Sequence, residues 1–491
     1  MQNVSCPSCG AEVSFRSAAS VMAVCDYCQS TLLKDAESVK DIGKMSTVLE
    51  DYSPIQMNTV GVYEGNHFTV IGRIQLRYEA GFWNEWYVLF DDGSSGWLSD
   101  ASGQYVFTLP QPDIANAPNF DGIVPGYRFT HQGTEFIASD VRTAQCIAGQ
   151  GELPFPVNSG WQAKVADFRF TNSFLTLDYS DNDSPRCYLG KSVTLETLHC
   201  QLLRSNDDIA GTSGRFKGKT VPLDCPNCGG PIQYQAGMAF HIVCPLCKAD
   251  VDCSADKATV LRKHQELVHL KSTLSLGDVG NIDGIKYSII GLIKCREVDA
   301  DGDPPWTEYL LFNPNKDFLW LVEVNDEWDK VTVLNEWPER LADNVIFLRN
   351  ENGKKYKRLY EYDAIVTYAI GAFNWRISIG DKTHLTDYSS TFDKLTAERT
   401  KNEITWSFAR PVSPTIVGQW FGKKLATTKI ESASEEKSFT FKAAKIYSLM
   451  LVGLNVPIAF ASGVMGLLIL LVGLCLIWVP ALIYRQQVDS D

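Results

Sequence analysis

Apolar and polar positions alternate along much of this chain. In 68–78 the residues Phe68, Val70, Gly72, Ile74, Leu76 and Tyr78 alternate with polar or smaller neighbours, and 287–293 repeats the pattern. A period of two is the period of a strand, because successive side chains point to opposite sides of a sheet. The same reading predicts strands at 85–90, 96–99, 318–323, 365–370, 374–379 and 404–408, with turns at Asp91-Asp92-Gly93, Asn352-Gly353 and Gly380-Asp381. Short strands with a turn signal every ten or so residues predict a mainly β chain built from antiparallel sandwich or barrel-like domains. Helical patterning is confined to 34–50, interrupted by Gly43, and to 255–271, where Ser254 is the N-cap and Val260, Leu261, His264, Leu267 and Val268 form one stripe.

The pattern also repeats. Shifted by 219 residues, Val60-Gly61, Gly65 and Ile71-Gly72 fall on Val279-Gly280, Gly284 and Ile290-Gly291; an insertion in the acidic loop 299–305 then moves the offset to 223, where Trp83, Glu85 and Trp97 fall on Trp306, Glu308 and Trp320. The chain is a tandem duplication. Each copy begins with paired cysteine knuckles, Cys6-x2-Cys9-x15-Cys25-x2-Cys28 and Cys225-x2-Cys228-x15-Cys244-x2-Cys247. Two knuckles of this spacing close a tetrahedron of four thiolates around one ion, so two zinc ribbons are predicted at 1–33 and 221–253, each holding a structural Zn2+. With four Cys ligands no position stays open for water, which argues against Lewis-acid catalysis. The remaining Cys146, Cys187, Cys200, Cys253, Cys295 and Cys475 have no partner spacing and read as small hydrophobes.

The end of the chain departs from both patterns. From Ile446 to Tyr484 no residue is charged. A single helix of that length would measure about 58 Å against a hydrocarbon core of about 30 Å, so the reading is a two-helix transmembrane hairpin, with one span near 464–484 as the alternative. Lys442, Lys445 and Arg485 flank it as cytosolic anchors, and 430–442 reads as a stalk. Residues 1–10 run into the first ligands without an apolar leader, so the bulk of the chain is expected in the reducing cytosol, tethered to a membrane.

Charge and composition remove several function classes. With 45 Lys+Arg against 58 Asp+Glu the net charge is -13, and both ribbons are neutral, so nucleic acid is not an expected partner. Gly218-Lys219-Thr220 lacks the first glycine of a phosphate loop, which is Ser213. His264 and His269 are five apart, not four, and none of the seven histidines matches between the copies. No catalytic residue is assigned, and the chain is read as not an enzyme. The 12 Trp, 19 Tyr and 24 Phe leave room for an aromatic ligand groove, with Trp86, Trp97, Trp320 and Trp375 beside the carboxylates Glu85 and Glu308 as its candidates.

The run Phe68-Thr-Val-Ile-Gly-Arg, then Trp83-Asn-Glu-Trp86-Tyr-Val-Leu-Phe90, Gly96-Trp97-Leu98, Gly371-Ala-Phe-Asn-Trp375-Arg376 and Gly380-Asp381 resembles the DUF4178 domain of bacteria, over roughly 52–200 and 275–420. The family carries no established activity. A zinc ribbon ahead of the domain is similar to what it shows, and its members' neighbours, aminopropyltransferase-like enzymes and small membrane proteins, imply a part in a system at the bacterial inner membrane, linked to polyamines or envelope stress. Where the second copy has Asn374-Trp375-Arg376 the first has Pro154-Phe155-Pro156, so a binding segment there is expected to be lost from the first copy. Three functions are expected: a membrane-tethered scaffold or adaptor binding protein partners; as the alternative, a sensor or regulatory subunit for a cationic metabolite such as a polyamine; and, as a further alternative, an unrecognised enzyme. The linker between copies is placed at 201–220.

Overall fold

A computed structural model describes residues 2–34, 39–46, 48, 51–112, 114, 116–158, 160–181, 184–205, 207–209, 224–230, 241–252, 259–262, 272–298, 304–313, 316–349 and 353–425, with isolated residues between 445 and 479. Residues Met1–Leu425 form one compact unit and Ala426–Asp491 a second.

The predicted strands curl into barrels. In the first copy the ladder runs from Thr134–Leu153 through Gln162–Phe170, Ser173–Asp178, Arg186–Val193, Gln104–Gln111, Ser95–Ala101 and Phe82–Phe90 to Asn66–Arg77, which pairs back onto Thr134–Leu153. Eight antiparallel strands thus close on themselves. The second copy repeats the ring with Lys354–Phe373, Lys382–Ser389, Lys394–Arg399, Ile404–Val412, Glu327–Val333, Asp317–Val324, Trp306–Asn313 and Ile285–Glu297. Closure removes the sheet edge that a sandwich would leave open.

Each ring depends on one 20-residue strand, Thr134–Leu153 or Lys354–Phe373, whose first part pairs with the next strand in sequence and whose second part pairs with the first barrel strand. At the crossing the two backbones touch. A Cβ on Gly151 would lie 2.3 Å from the Ile71 carbonyl oxygen, and one on Gly371 2.3 Å from that of Ile290. Both glycines are in the left-handed region, at φ +72° and +102°. Only glycine meets both demands.

Along Phe82–Phe90, Trp83, Glu85 and Tyr87 share one face and Trp86 and Val88 the other, as the pleat requires. Both faces are covered. Outside the first barrel, Phe68, Val70, Trp86, Val88, Leu98 and Phe107 pack under Ile55 and Leu198, and Ala166, Phe168, Leu175 and Leu177 under Ile123 and Phe136. Outside the second barrel, the helix Pro414–Phe421 lays Val417 on Tyr309, Leu311 and Leu321. Ser413 caps that helix, its hydroxyl accepting from Ile416 N–H at 3.3 Å, and Gly422 ends it at φ +62°.

Three expectations are corrected. The helix over 34–50 is replaced by the strand Val39–Lys44, which pairs with Ser30–Lys34; the ladder overrides a weak helical pattern already broken by Gly43 at φ +128°. The helix over 255–271 gives way at Thr259–Arg262 to a strand paired with Asp250–Asp252, and the rest of that stretch lies outside the described residues. Residues 374–379 form no strand: the chain leaves the barrel at Phe373 and turns toward Lys382–Ser389. Most of 446–484 and of the linker 201–220 also lies outside the described residues. Among those described, no helix is long and apolar enough to cross a membrane.

Candidate metal and ligand sites

Each ribbon brings its four sulfurs together as the spacing predicts. Cys6, Cys9, Cys25 and Cys28 form one cluster and Cys225, Cys228, Cys244 and Cys247 the other, each with its ligand atoms within 4.8 Å of one another. The knuckles are tight turns in which Gly10 N–H donates to the Cys6 carbonyl and Gly229 N–H to that of Cys225, both at 2.8 Å. Sulfurs stand 3.6 Å (Cys6 to Cys28), 3.7 Å (Cys9 to Cys25), 3.6 Å (Cys225 to Cys247) and 3.9 Å (Cys228 to Cys244) apart. A tetrahedron with metal–sulfur bonds of about 2.3 Å has edges of about 3.8 Å, so either cluster can hold one ion. Of the other cysteines, Cys146, Cys187 and Cys295 are buried, Cys200 is half-buried, and Cys253 and Cys475 lie outside the described residues.

The ribbons are joined to the barrels by hydrogen-bonded ladder. Met22–Val24 pairs with the end of Thr134–Leu153, and His241–Val243 with the end of Lys354–Phe373. In each case a ligand cysteine, Cys25 or Cys244, follows the paired strand directly. The residues just beyond the long strands reach a cavity of about 1690 Å³ in the first unit, lined by both barrels.

The cavity has equivalent walls. Trp97 and Phe155 line it from the first copy, ring centroids 5.9 Å apart, and Trp320 and Trp375 from the second, 5.4 Å apart. The Pro154-Phe155-Pro156 segment therefore keeps the aromatic position that sequence alone assigned as lost. Glu85 and Glu308 face the same space: Trp83 Nε1 donates to Glu85 Oε1 and Trp306 Nε1 to Glu308 Oε1, both at 2.7 Å. Five of the six groove candidates thus line one cavity. Trp86 does not. It is 1% exposed and packs outside the barrel with the Arg73 guanidinium 4.5 Å from its ring centroid, because it falls on the opposite pleat from Glu85.

Four further carboxylates, missed from sequence, complete the pattern. Asp167 and Asp387 each accept a hydroxyl hydrogen bond at 2.6 Å, from Thr176 and Thr396. Asp178 accepts from Ser180 N–H at 2.9 Å, and Glu398 from the Ser407 hydroxyl at 3.3 Å. At an offset of 220, Asp167 falls on Asp387, Thr176 on Thr396 and Asp178 on Glu398. Extending the repeat comparison through the second half of each copy reveals them.

All six carboxylates are served by neutral donors. Among the described residues none has a Lys, Arg or His within ion-pair distance. Enclosure by protein pushes Glu85, Asp167 and Glu398 up to about 7 and raises Asp178, Glu308 and Asp387, with neighbouring carboxylates adding to the rise at Glu85, Asp167, Asp387 and Glu398. Basic groups on the wall are engaged elsewhere: Arg142 with Asp140 at 2.5 Å and Glu403 at 2.6 Å, and Lys394 with Asp329 at 2.8 Å. The described lining holds 13 Asp and Glu against 6 Lys and Arg, so its formal charge is negative.

The profile of the DUF4178 family (Domain of unknown function) matches residues 56–195 and 275–414, each spanning one barrel. No curated protein matches the chain. Among solved structures, the LG1-3 region of the laminin alpha2 chain is similar at 9% identity with a TM-score of 0.09, over 76% of this chain and 59% of that one. The chain thus spans under two thirds of that structure's length, and so low a TM-score carries no argument about the fold.

Proposed function

The chain belongs to the DUF4178 family, carried twice over, and from that premise we propose that its two barrels form one binding chamber for a small organic cation, the sensor reading rather than the adaptor. One observation carries this: three carboxylates from each copy, matched in position, face a shared aromatic cavity with no Lys, Arg or His at ion-pair distance among the described residues. Buried carboxylates left unpaired are costly and relax by taking up protons or a cation. Facing aromatic rings attract an ammonium group through their quadrupole, and the acidic chain draws cations toward it. The role is binding, not turnover. Titration calorimetry of the full chain with spermidine, against matched sodium chloride, tests it. Glu85→Gln and Glu308→Gln should each weaken binding about tenfold, and heat no greater than that of salt removes the reading.

In the same proposal each four-cysteine cluster holds a structural Zn2+, two per chain, and 446–484 anchors the chain in the bilayer of a bacterial inner membrane with the barrels in the cytosol. The Trp478 indole N–H donates to the Ser448 hydroxyl at 2.9 Å, 30 residues away, which supports a chain that doubles back. The adaptor reading is favoured by a different observation. Tyr27 and Leu246 occupy the same place in the two knuckles and are 81% and 58% exposed, a matched pair of apolar tips suited to protein partners. Capture of one partner by the wild-type chain, lost in Tyr27→Ser/Leu246→Ser, would support it.

A further inference from the structure

The two ribbons are not equivalent in what they touch. Among the described residues the first grips its own copy: Arg16 reaches Glu152 at 3.1 Å and Asn58 at 2.8 Å, and Val157 N–H donates to Met22 Sδ at 3.4 Å. The second grips its own barrel at the equivalent place, where Ile377 N–H donates to His241 Nδ1 at 3.2 Å and the Ser378 hydroxyl to Asp250 Oδ2 at 3.2 Å. It also reaches across. Asp252 pairs with Arg77 of the first barrel at 2.8 Å. The segment it holds makes two further crossings: Arg376 N–H donates to the Ala80 carbonyl, and the Arg376 guanidinium lies 3.6 Å from Glu79.

We propose that the second ribbon is a metal-dependent clamp across the two barrels, so that loading of Cys225, Cys228, Cys244 and Cys247 holds the joint chamber together. His241 and Asp250 lie three residues from the ligands Cys244 and Cys247, and Asp252 five from Cys247. The fold of so small a module depends on its metal. Loss of the ion releases the Asp250–Asp252 strand, and with it both the hold on 377–378 and the ion pair to Arg77. Trp375 and Ile377, which line the cavity, lie on the segment so released. Among the described residues the first ribbon shows no such reach, so in this proposal its metal supports one barrel. The inference rests on the reading that the second cluster holds metal, which a metal count tests by itself.

Among the described residues, two backbone bonds cross the junction away from the ribbon: Val141 N–H to the Asn402 carbonyl and Trp337 N–H to the Thr171 carbonyl, both at 2.9 Å. They are the readout. Hydrogen exchange of the full chain, resolved by peptide, is measured for wild type, Cys244→Ser/Cys247→Ser and Cys25→Ser/Cys28→Ser, with metal counted in each. The second-ribbon variant should lose one ion of two and exchange at least about tenfold faster in the peptides holding Val141 and Trp337. The first-ribbon variant should lose one ion and leave the Trp337 peptide unchanged. Protection kept at both amides after loss of the second ion overturns the clamp, and a wild-type chain without metal overturns its premise as well. Should the cysteine variant fail to fold, Arg77→Gln keeps both ions, and an unchanged Val141 peptide in that variant also overturns it.

Discussion

The two copies share a chamber wall but differ in how they are braced. On the outer face of the first barrel, Arg73 is 3% exposed and bonds Asp51 at 2.8 Å and Asn84 at 3.0 Å, above the Trp86 ring. At the equivalent place the second barrel has Leu292, 2% exposed in an apolar cluster. A similar exchange occurs beside the ribbons, where Met22 sulfur in one copy and His241 nitrogen in the other accept the equivalent backbone N–H. Duplication kept the inward carboxylates and aromatics and let the supports drift. Packing has many solutions of equal worth, whereas a charged wall facing a cavity has few.

Substitutions that exchange the copies' residues test this division. The largest effect is expected from Arg73→Leu, which removes the guanidinium that bonds the buried Asp51 carboxylate at 2.8 Å; urea unfolding should show a loss of about 3–5 kcal/mol, although the second copy has leucine there. Next come Gly151→Ala and Gly371→Ala. Each forces a side chain into the backbone crossing at positive φ, and equal losses of at least about 2 kcal/mol are expected, because closure is common to both copies. A markedly smaller loss in one copy would mean that its ring closes differently. His241→Met, which installs the first copy's acceptor, should shift stability by only about 1 kcal/mol in a thermal scan.

The gentlest test is a slope. Glu85, Asp167 and Glu398 titrate near 7 when folded, above their ordinary values of 4.5 and 3.8. The folded chain therefore holds more protons than the unfolded one. The stability this contributes is fully present below about pH 4 and is lost as pH rises through 7, by less than about 1 kcal/mol per pH unit for each group after screening through the cavity. Cation binding should run the other way and tighten between pH 6 and pH 8. Glu85→Gln and Glu398→Gln should each flatten the slope by a similar amount; a slope lost entirely with one of them would confine the site to one barrel.

Much of this was legible in the sequence. The repeat and cysteine spacing located both clusters, and period-two alternation placed seven of the sixteen strands that build the rings. Closure was not legible, because alternation is the same in a sandwich and a barrel and the deciding contacts, Gly72 against Glu152 and Gly291 against Phe373, are distant in sequence. The helix expectations over 34–50 and 255–271 fail at Val39–Lys44 and Thr259–Arg262, where weak periodicity loses to ladder pairing. Trp86 was misassigned by counting aromatics without fixing pleat parity, and Asp167, Asp178, Asp387 and Glu398 were missed by ending the repeat comparison too early.

The paired indole–carboxylate bonds give the molecule an optical signature. Trp83 and Trp306 each donate to a carboxylate whose charge changes as protons leave or a cation arrives. An indole's emission responds to the field of a charge in contact with its ring nitrogen, so each barrel carries its own fluorophore at the chamber wall. The difference spectrum between wild type and Trp83→Phe, set beside that for Trp306→Phe, would report the two halves separately and without a label.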